Sequence, residues 1–363
     1  MECDGCYAAA PHAKTLGRYE MAGKRQHFIP QFLQRGFLTR AQRNQEFTCV
    51  YRKNAAPFQA NIKNVGVEGF FYSAAENDAD EKISAAEDGL GRLVSELRRS
   101  DGALSETARL AELFAHLEVR SRHLRQSFLQ TGTHLVNALL QTASDPTVFE
   151  PYVRQILRND PSLLEEAFAK ELRKLGLPRN ALPMLVQPTD SLVERALPAI
   201  VPQIAMMVRS LRAKLPDRFT DAVKVGHIRT LEQEMAPSRK TAIFATLQFQ
   251  MCRLPSASLL LGDSMVVFHV RGERSFKPFL ERKDELVAAI LPIAADAALV
   301  GAAGPYALDV ELIRCELARC SLELFIAGEE SERNARLSSK IAENAHLLSN
   351  EEVQEIVRTL FTG

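Results

Sequence analysis

Thr241–Val270 reads TAIFATLQFQMCRLPSASLLLGDSMVVFHV, and the spacing of its apolar residues decides the fold class. Ala245, Leu247, Phe249 and Met251 alternate with more polar neighbours, the repeat of a strand with one buried face. Leu259–Leu261 and Met265–Val270 are two more short apolar runs, set around Gly262-Asp263. Leu286–Ile293 and Ala297–Val300 extend the strand series.

Upstream the repeat is helical. Ile83, Ala86, Leu90, Leu93, Val94 and Leu97 fall on one face of a helix. Leu110, Leu113, Phe114, Leu117, Leu124 and Phe128 continue a buried stripe along a second, long amphipathic helix, with Ser105 as its N-cap. Asp160-Pro161 starts another helix that Gly176 stops, and Asp190 caps one that Pro198 and Pro202 kink or shorten. At the far end one helix lies within Asp309–Phe325, and a second begins at the capping box Ser349-x-x-Glu352.

Near the start, Pro30 opens a short helix carrying Phe32 and Leu33, Gly36 ends it, and Phe47–Tyr51 is rich in strand formers. Strands at both ends around a mostly helical centre predict an α+β fold with short antiparallel strands. Residues 21–363 read as one domain, with a candidate sub-boundary in the Pro-rich loop at 177–190. Residues 1–20 read as a weakly structured extension, and Met21 as a more natural start.

Composition removes several classes. In 363 residues, apolar residues make up 46% and charged residues 25%, which suits a packed core and not a disordered chain. Lys+Arg and Asp+Glu stand at 45 each, so the chain as a whole is neither a basic nucleic-acid coat nor an acidic tail protein. One segment departs from this balance. Lys24, Arg25, Arg35, Arg40, Arg43, Arg52 and Lys53 are opposed only by Glu46. Six cysteines are too few for a disulfide scaffold. No run reaches the ~18 apolar residues of a membrane helix, and the first twenty residues lack a secretory apolar core. These features predict a cytoplasmic protein without a membrane span.

His27 is a candidate general acid or base, because imidazole titrates near neutrality. It equally suits a structural hydrogen bond to a carbonyl. Asp263 is a candidate metal ligand or proton acceptor, or a turn former that bonds nearby backbone. Arg120, Arg122 and Arg125 lie near the end of the long helix, where Arg120 suits a phosphate or carboxylate. His116 and His123 are two turns apart on that helix, ~10 Å along its axis, too far to grip one ion. Cys3-x-x-Cys6 with His12 lacks a fourth zinc ligand, and Cys315 and Cys320 read as small core residues. Gly-x-Ser-x-Gly, P-loop and Gly-x-Gly-x-x-Gly motifs are absent, which disfavours common nucleotide-dependent and α/β-hydrolase classes.

The stretch His27-Phe-Ile-Pro-Gln-Phe-Leu-Gln-Arg-Gly-Phe37 resembles the opening of the domain of unknown function 4238 family, a mainly bacterial family. Features follow in the family's order: the strand at Phe47–Lys53, Lys63-Asn-Val-Gly-Val-Glu-Gly-Phe-Phe-Tyr72, Leu110-Ala-Glu-Leu-Phe-Ala, and Arg120-Ser121 where members often carry Arg-Thr-Pro. Members have Thr-Ser-Asp-Asn-Pro where this chain has Leu261-Gly-Asp-Ser-Met265. Asp263 is kept, and Ser264 and Met265 replace the Asn and Pro. Leu291-Pro-Ile293 and Asn344 match later positions. The resemblance runs from about Gln26 to about Val357 and brings no established activity with it.

Three readings follow. The first is a hydrolase acting on a phosphate-bearing or nucleic-acid substrate. In it His27 is the acid/base, Asp263 orients or binds a divalent metal, and Arg35, Arg120 and Asn344 bind substrate. It requires these distant residues to converge in one pocket. The second is a non-catalytic binding or regulatory module that docks a partner or nucleic acid through the basic segment. The third is a scaffold in which His27 and Asp263 serve only capping and turns.

Overall fold

The computed structural model describes residues 25–69, 78–160, 190–212, 236–254 and 258–362, with scattered positions in 162–174 and 214–223. The chain is α+β, with antiparallel sheets from its N- and C-terminal parts around a helical centre. Arg25–His27 (β1) pairs with Val67–Gly69 (β5), placing His27 opposite Val67. Between them lie the short helix Gln31–Gln34 (α1) and three further strands, Arg40–Gln42 (β2), Gln45–Arg52 (β3) and Phe58–Asn61 (β4). Pro30 is the N-cap of α1 and not its first residue. Gly36 sits in the 3-10 turn that follows, and its lack of a side chain is required. A Cβ there would lie 2.1 Å from the Ile293 carbonyl oxygen and 2.9 Å from an Arg98 nitrogen.

The helix Asp78–Leu97 (α2) buries Leu93, Val94 and Leu97. A strand that the pattern did not announce, Gly102–Leu104 (β6), precedes the helix Thr107–Arg120 (α3). Ser105 is not the cap: Glu106 takes that position, with no side-chain bond. The predicted long helix is two helices. Ser121 leaves helical geometry (ψ 136) and caps Arg122–Ala143 (α4), its Oγ accepting from Leu124 N at 3.3 Å. Arg122 therefore stands at the first position of a helix, where proline is favoured. The break separates His116 from His123, so they do not share one continuous helix face. Phe128 is 59% exposed, which removes it from the predicted stripe.

Helices Pro146–Asn159 (α5) and Asp190–Arg212 (α6) pack together through Val153, Leu157, Val193, Leu197 and Val201. Pro198 and Pro202 lie inside α6 without shortening it. Asp160 Oδ1 accepts from Ser162 N at 3.2 Å, while Gly176 and the loop at 177–188 lie outside the described residues.

Thr241 belongs to a helix, Ser238–Phe244 (α7), and Ala245 is its C-cap, so the predicted strand begins only at Gln248–Arg253 (β7). The run around Gly262-Asp263 is a turn between two sheets and not within one. Leu260–Gly262 (β8) belongs to a five-stranded sheet in the order β2-β3-β13-β8, with β4 also on β3. Its β13 is Leu324–Ala327, which overlaps the end of the stretch Asp309–Phe325; the helix expected within that stretch is Val310–Arg319 (α8). Val267–Val270 (β9) belongs to a six-stranded sheet with Phe276–Lys277 (β10), Leu286–Ala294 (β11) and Ala297–Ala302 (β12), in the order β10-β9-β11-β12-β7-β6. Strands β11 and β12 are almost wholly buried, as their unbroken apolar sequence demands. One large core joins both sheets to α1, α2, α3, α7 and α8. The helix Asn350–Thr362 (α10), which follows Glu332–Ser338 (α9), packs on α4 through Ala138, Val353 and Val357. Among the described residues no helix is long and apolar enough to cross a membrane.

Candidate functional site

A cleft of about 500 Å³ opens between the β1–α1 segment and α2. His27, Gln31, Phe32 and Arg35 form one wall. The polar face of α2 forms the other, with Glu87, Asp88, Arg92, Ser95 and Glu96, and Arg99 joins it from the turn that follows the helix. Gly91 lies between the walls, where a Cβ would stand in ordinary contact with Phe32, 3.4 Å from its Cβ.

Each cleft residue is held by local structure. His27 Nε2 lies 3.3 Å from the Ile62 carbonyl and 3.5 Å from the Gln31 amide nitrogen. A carbonyl only accepts, so Nε2 carries the proton in the closer contact. Arg35 Nε donates to both oxygens of Glu46, at 3.2 and 3.1 Å. Arg98 is spent on structure. Its guanidinium donates to the carbonyls of Ile293 (2.8 Å), Phe32 (2.7 Å) and Leu33 (3.2 Å), tying α2 to α1 and β11. Burial, and the nearby Arg35 charge, push its pKa down to about 10.

Arg120 lies beneath the cleft, 1% exposed. Its Nη2 donates to the His27 carbonyl at 2.6 Å, its Nη1 meets His116 Nε2 at 3.1 Å, and it forms an ion pair with Glu87. It thus grips one wall by backbone and the other by carboxylate. A buried pair of this kind is expensive to break, because a lone charge would remain.

Asp263 does not line the cleft. It is 0% exposed, and its carboxylate accepts from the backbone nitrogens of Leu322 (2.6 Å), Glu323 (2.8 Å) and Leu324 (3.2 Å). Burial pushes its pKa up to about 6, against the pull of those three amides. The side chain therefore ties the inter-sheet turn to the entry of β13, which corrects the expectation that it converges with His27. Ser264 Oγ similarly bonds the Cys320 carbonyl at 2.9 Å. Asn344 is also elsewhere: its amide donates to Glu316 at 2.7 Å and its backbone nitrogen to the Arg319 carbonyl at 2.9 Å.

Of the five predicted site residues, the fold therefore places His27 and Arg35 at the cleft and Arg120 under it. Asp263 and Asn344 are committed to other contacts. Two cations of the basic segment rest on aromatic rings, and Lys24 lies outside the described residues. Arg40 stacks on Phe47 at 4.5 Å and Arg52 on Phe58 at 5.7 Å, on the β2–β3–β4 sheet. The α2 wall was missed because only the apolar face of that helix was read. The signal was present as Asp88, Arg92, Glu96 and Arg99, a charged stripe at helical spacing.

Among the described residues no group of three or more His, Cys, Asp or Glu is placed to hold a metal ion. Cys3, Cys6 and His12 lie outside the described residues. Cys320 is buried as expected, whereas Cys315 is half-buried and 3.1 Å from Lys340 Nζ.

No curated protein and no solved structure matches the chain. One family model does, described as protein of unknown function (DUF4238), over residues 25–307. That span runs from β1 through β12 and contains every residue of the cleft, so the chain belongs to the DUF4238 family.

Proposed function

We propose that the protein binds a small ligand carrying one phosphate or comparable anionic group in the cleft between α1 and α2. The observation behind this reading is the gathering of His27, Arg35, Arg92 and Arg99 around one cavity of about 500 Å³. Guanidinium groups bind phosphate and carboxylate bidentately. The volume suits a metabolite-sized molecule. The charge pattern argues against a polyanion. Glu87 answers Arg120, Glu46 answers Arg35, and Asp88 and Glu96 alternate with Arg92 and Arg99. A nucleic-acid strand calls for a run of one sign, and Arg40 and Arg52 are stacked on aromatic rings away from the cleft.

Hydrolysis is the second reading. It is favoured by His27 sharing the cleft with the carboxylates of Asp88 and Glu96, which would take the part first given to Asp263.

Calorimetric titration with inorganic phosphate, a nucleoside monophosphate and a short single-stranded RNA tests both. One saturable site for the monophosphate, weakened at least about tenfold (~1.4 kcal/mol) in a folded R92A/R99A double variant, is the expected result. Absence of saturation with all three probes, or equal affinity in that variant, rejects the binding reading. Product release from the same probes with Mg²⁺ or Mn²⁺, lost in folded His27→Ala, would move the conclusion to hydrolysis.

A further inference from the structure

The polar face of α2 lines the first cleft, and its opposite side faces α3 across a second one. There Gly89, Leu90 and Leu93 of α2, with Arg109, Glu112 and His116 of α3, border a cavity of about 280 Å³. We infer that this second cavity is a binding site for a small, uncharged aromatic molecule.

Gly89 is the first ground. Glycine in a helix interior disfavours the helix and is kept where space or backbone demands it. Neither neighbour packing nor backbone asks for it here: a Cβ at Gly89 would meet nothing within 4 Å. The glycine enlarges an empty space. Its walls on the α2 side are apolar, with Leu93 buried and Leu90 half-buried.

The polar groups then define the ligand. His116 is 2% exposed and meets Arg120 Nη1 through Nε2 at 3.1 Å. Arginine can only donate, so Nε2 accepts in this contact and is not offered to a ligand. Arg109 and Glu112 are of opposite sign, so the charged residues of the lining cancel formally. The cavity thus offers no net charge to an ion, unlike the cleft across the helix. Size sets the upper limit. An apolar cavity near ~150 Å³ accepts benzene, so this one has room for one fused bicyclic ring. Apolar walls with a few polar groups are the general form of such sites.

The test uses the full chain, with indole and phenol as probes, by calorimetry and by saturation-transfer NMR of the probe. The expected result is saturable binding of one equivalent of at least one probe. In Gly89→Leu the new side chain fills the cavity. Affinity then falls at least about tenfold, while the melting temperature stays level or rises, because leucine is the better helix former. If Gly89→Leu melts early, Gly89→Met, a flexible gap-filler, replaces it and is read the same way. Arg92→Ala, on the other face of α2, leaves probe binding unchanged. Absence of saturable binding for both probes in the native chain overturns the inference. So does equal affinity in the filled variant, and so does loss of binding in Arg92→Ala, which would place the probe in the first cleft.

Discussion

The sheet body and the helical layer of α4, α5, α6 and α10 are built to different standards. The body joins two sheets and five helices in one continuous core, and some of its buried polar side chains each make two hydrogen bonds across it. Gln34 donates to the carbonyls of Ile29 at 2.7 Å and Val65 at 3.0 Å, and Glu118 takes both Lys240 at 2.7 Å and the Leu280 nitrogen at 2.9 Å. The helical layer rests on two small clusters. It leaves Met206 66% exposed, and Met207, Tyr152 and Ile356 are exposed as well. Close packing is what makes a substitution costly, so the difference locates both the stability of the molecule and its tolerance.

The sharpest way to break this comparison is a matched pair of truncations. Phe114, in contact with Phe244 (5.9 Å) and Phe249 (5.6 Å), belongs to the body. Phe114→Ala is expected to lose about 3–5 kcal/mol in urea denaturation. Leu197→Ala, in the layer, should lose about 2 kcal/mol, since a small cluster can collapse around the gap. Equal losses would mean that the two regions are one cooperative core.

Two pH experiments follow, and they run in opposite directions. Burial raises Asp263 from 3.8 to about 6. The folded state therefore holds this proton more tightly than the unfolded chain. The contribution to stability is full below pH 3.8 and is lost as pH rises towards 6, by roughly 3 kcal/mol in all. Asp263→Asn should remove that slope, read as the stability difference from the native chain at pH 4 and pH 7. An unchanged difference would show a carboxylate ionised throughout, with its three amide donors outweighing burial.

His123, stacked on Phe279 at 5.3 Å, is pushed down from 6.5 to about 4 by burial, with Arg274 adding to the effect. Here the unfolded chain binds the proton better. Stability is lost as pH falls from 6.5 towards 4, again by roughly 3 kcal/mol. His123→Phe keeps the stacking and should flatten that loss. In the native chain the two slopes oppose each other between about pH 4 and 6, so each variant should show a pH dependence that the native chain hides.

Smaller effects sharpen the picture of the layer. Ser349 and Glu352 form a reciprocal cap on α10, at 2.7 and 3.2 Å. Ser349→Ala should lose about 1 kcal/mol, with amide exchange rising in α10 before it rises in the sheets. Phe128→Ser should change stability by less than about 0.5 kcal/mol, since Phe128 is 59% exposed. A large loss there would mean that the layer is covered in solution.

Much of the fold could be read from single segments. The stripe of α2 at Leu90, Leu93, Val94 and Leu97, the strands at Leu286–Ile293 and Ala297–Val300, and the Ser349 capping box are local matters of spacing and side-chain chemistry, and they stand where the spacing put them, while the Ile83 side chain lies outside the described residues. Two of the failures have a plain physical cause. Strands β6 and β13 are only three and four residues long, too short for any period to show, and exist because β7 and β3 supply their partners. The break at Ser121 hid inside a continuous apolar stripe because one residue in extended geometry scarcely shifts the helical phase.

For the site, residue type and neighbourhood brought His27 and Arg35 forward, and both line the cleft. The same reasoning proposed Asp263 and Asn344, whose polar atoms turned out to be engaged with backbone and with Glu316. By itself the sequence determined the class of fold, most of the elements and the apolar faces they bury, because these depend on interactions within a few turns or a few residues. Only the tertiary structure decided which side chains meet. A guanidinium whose partners come from distant parts of the chain is indistinguishable by sequence from one that faces solvent. It took the packing of α3 against β1 and α2 to bury Arg120 between His27 and Glu87, and the crossing from one sheet to the other to bury Asp263 at β13.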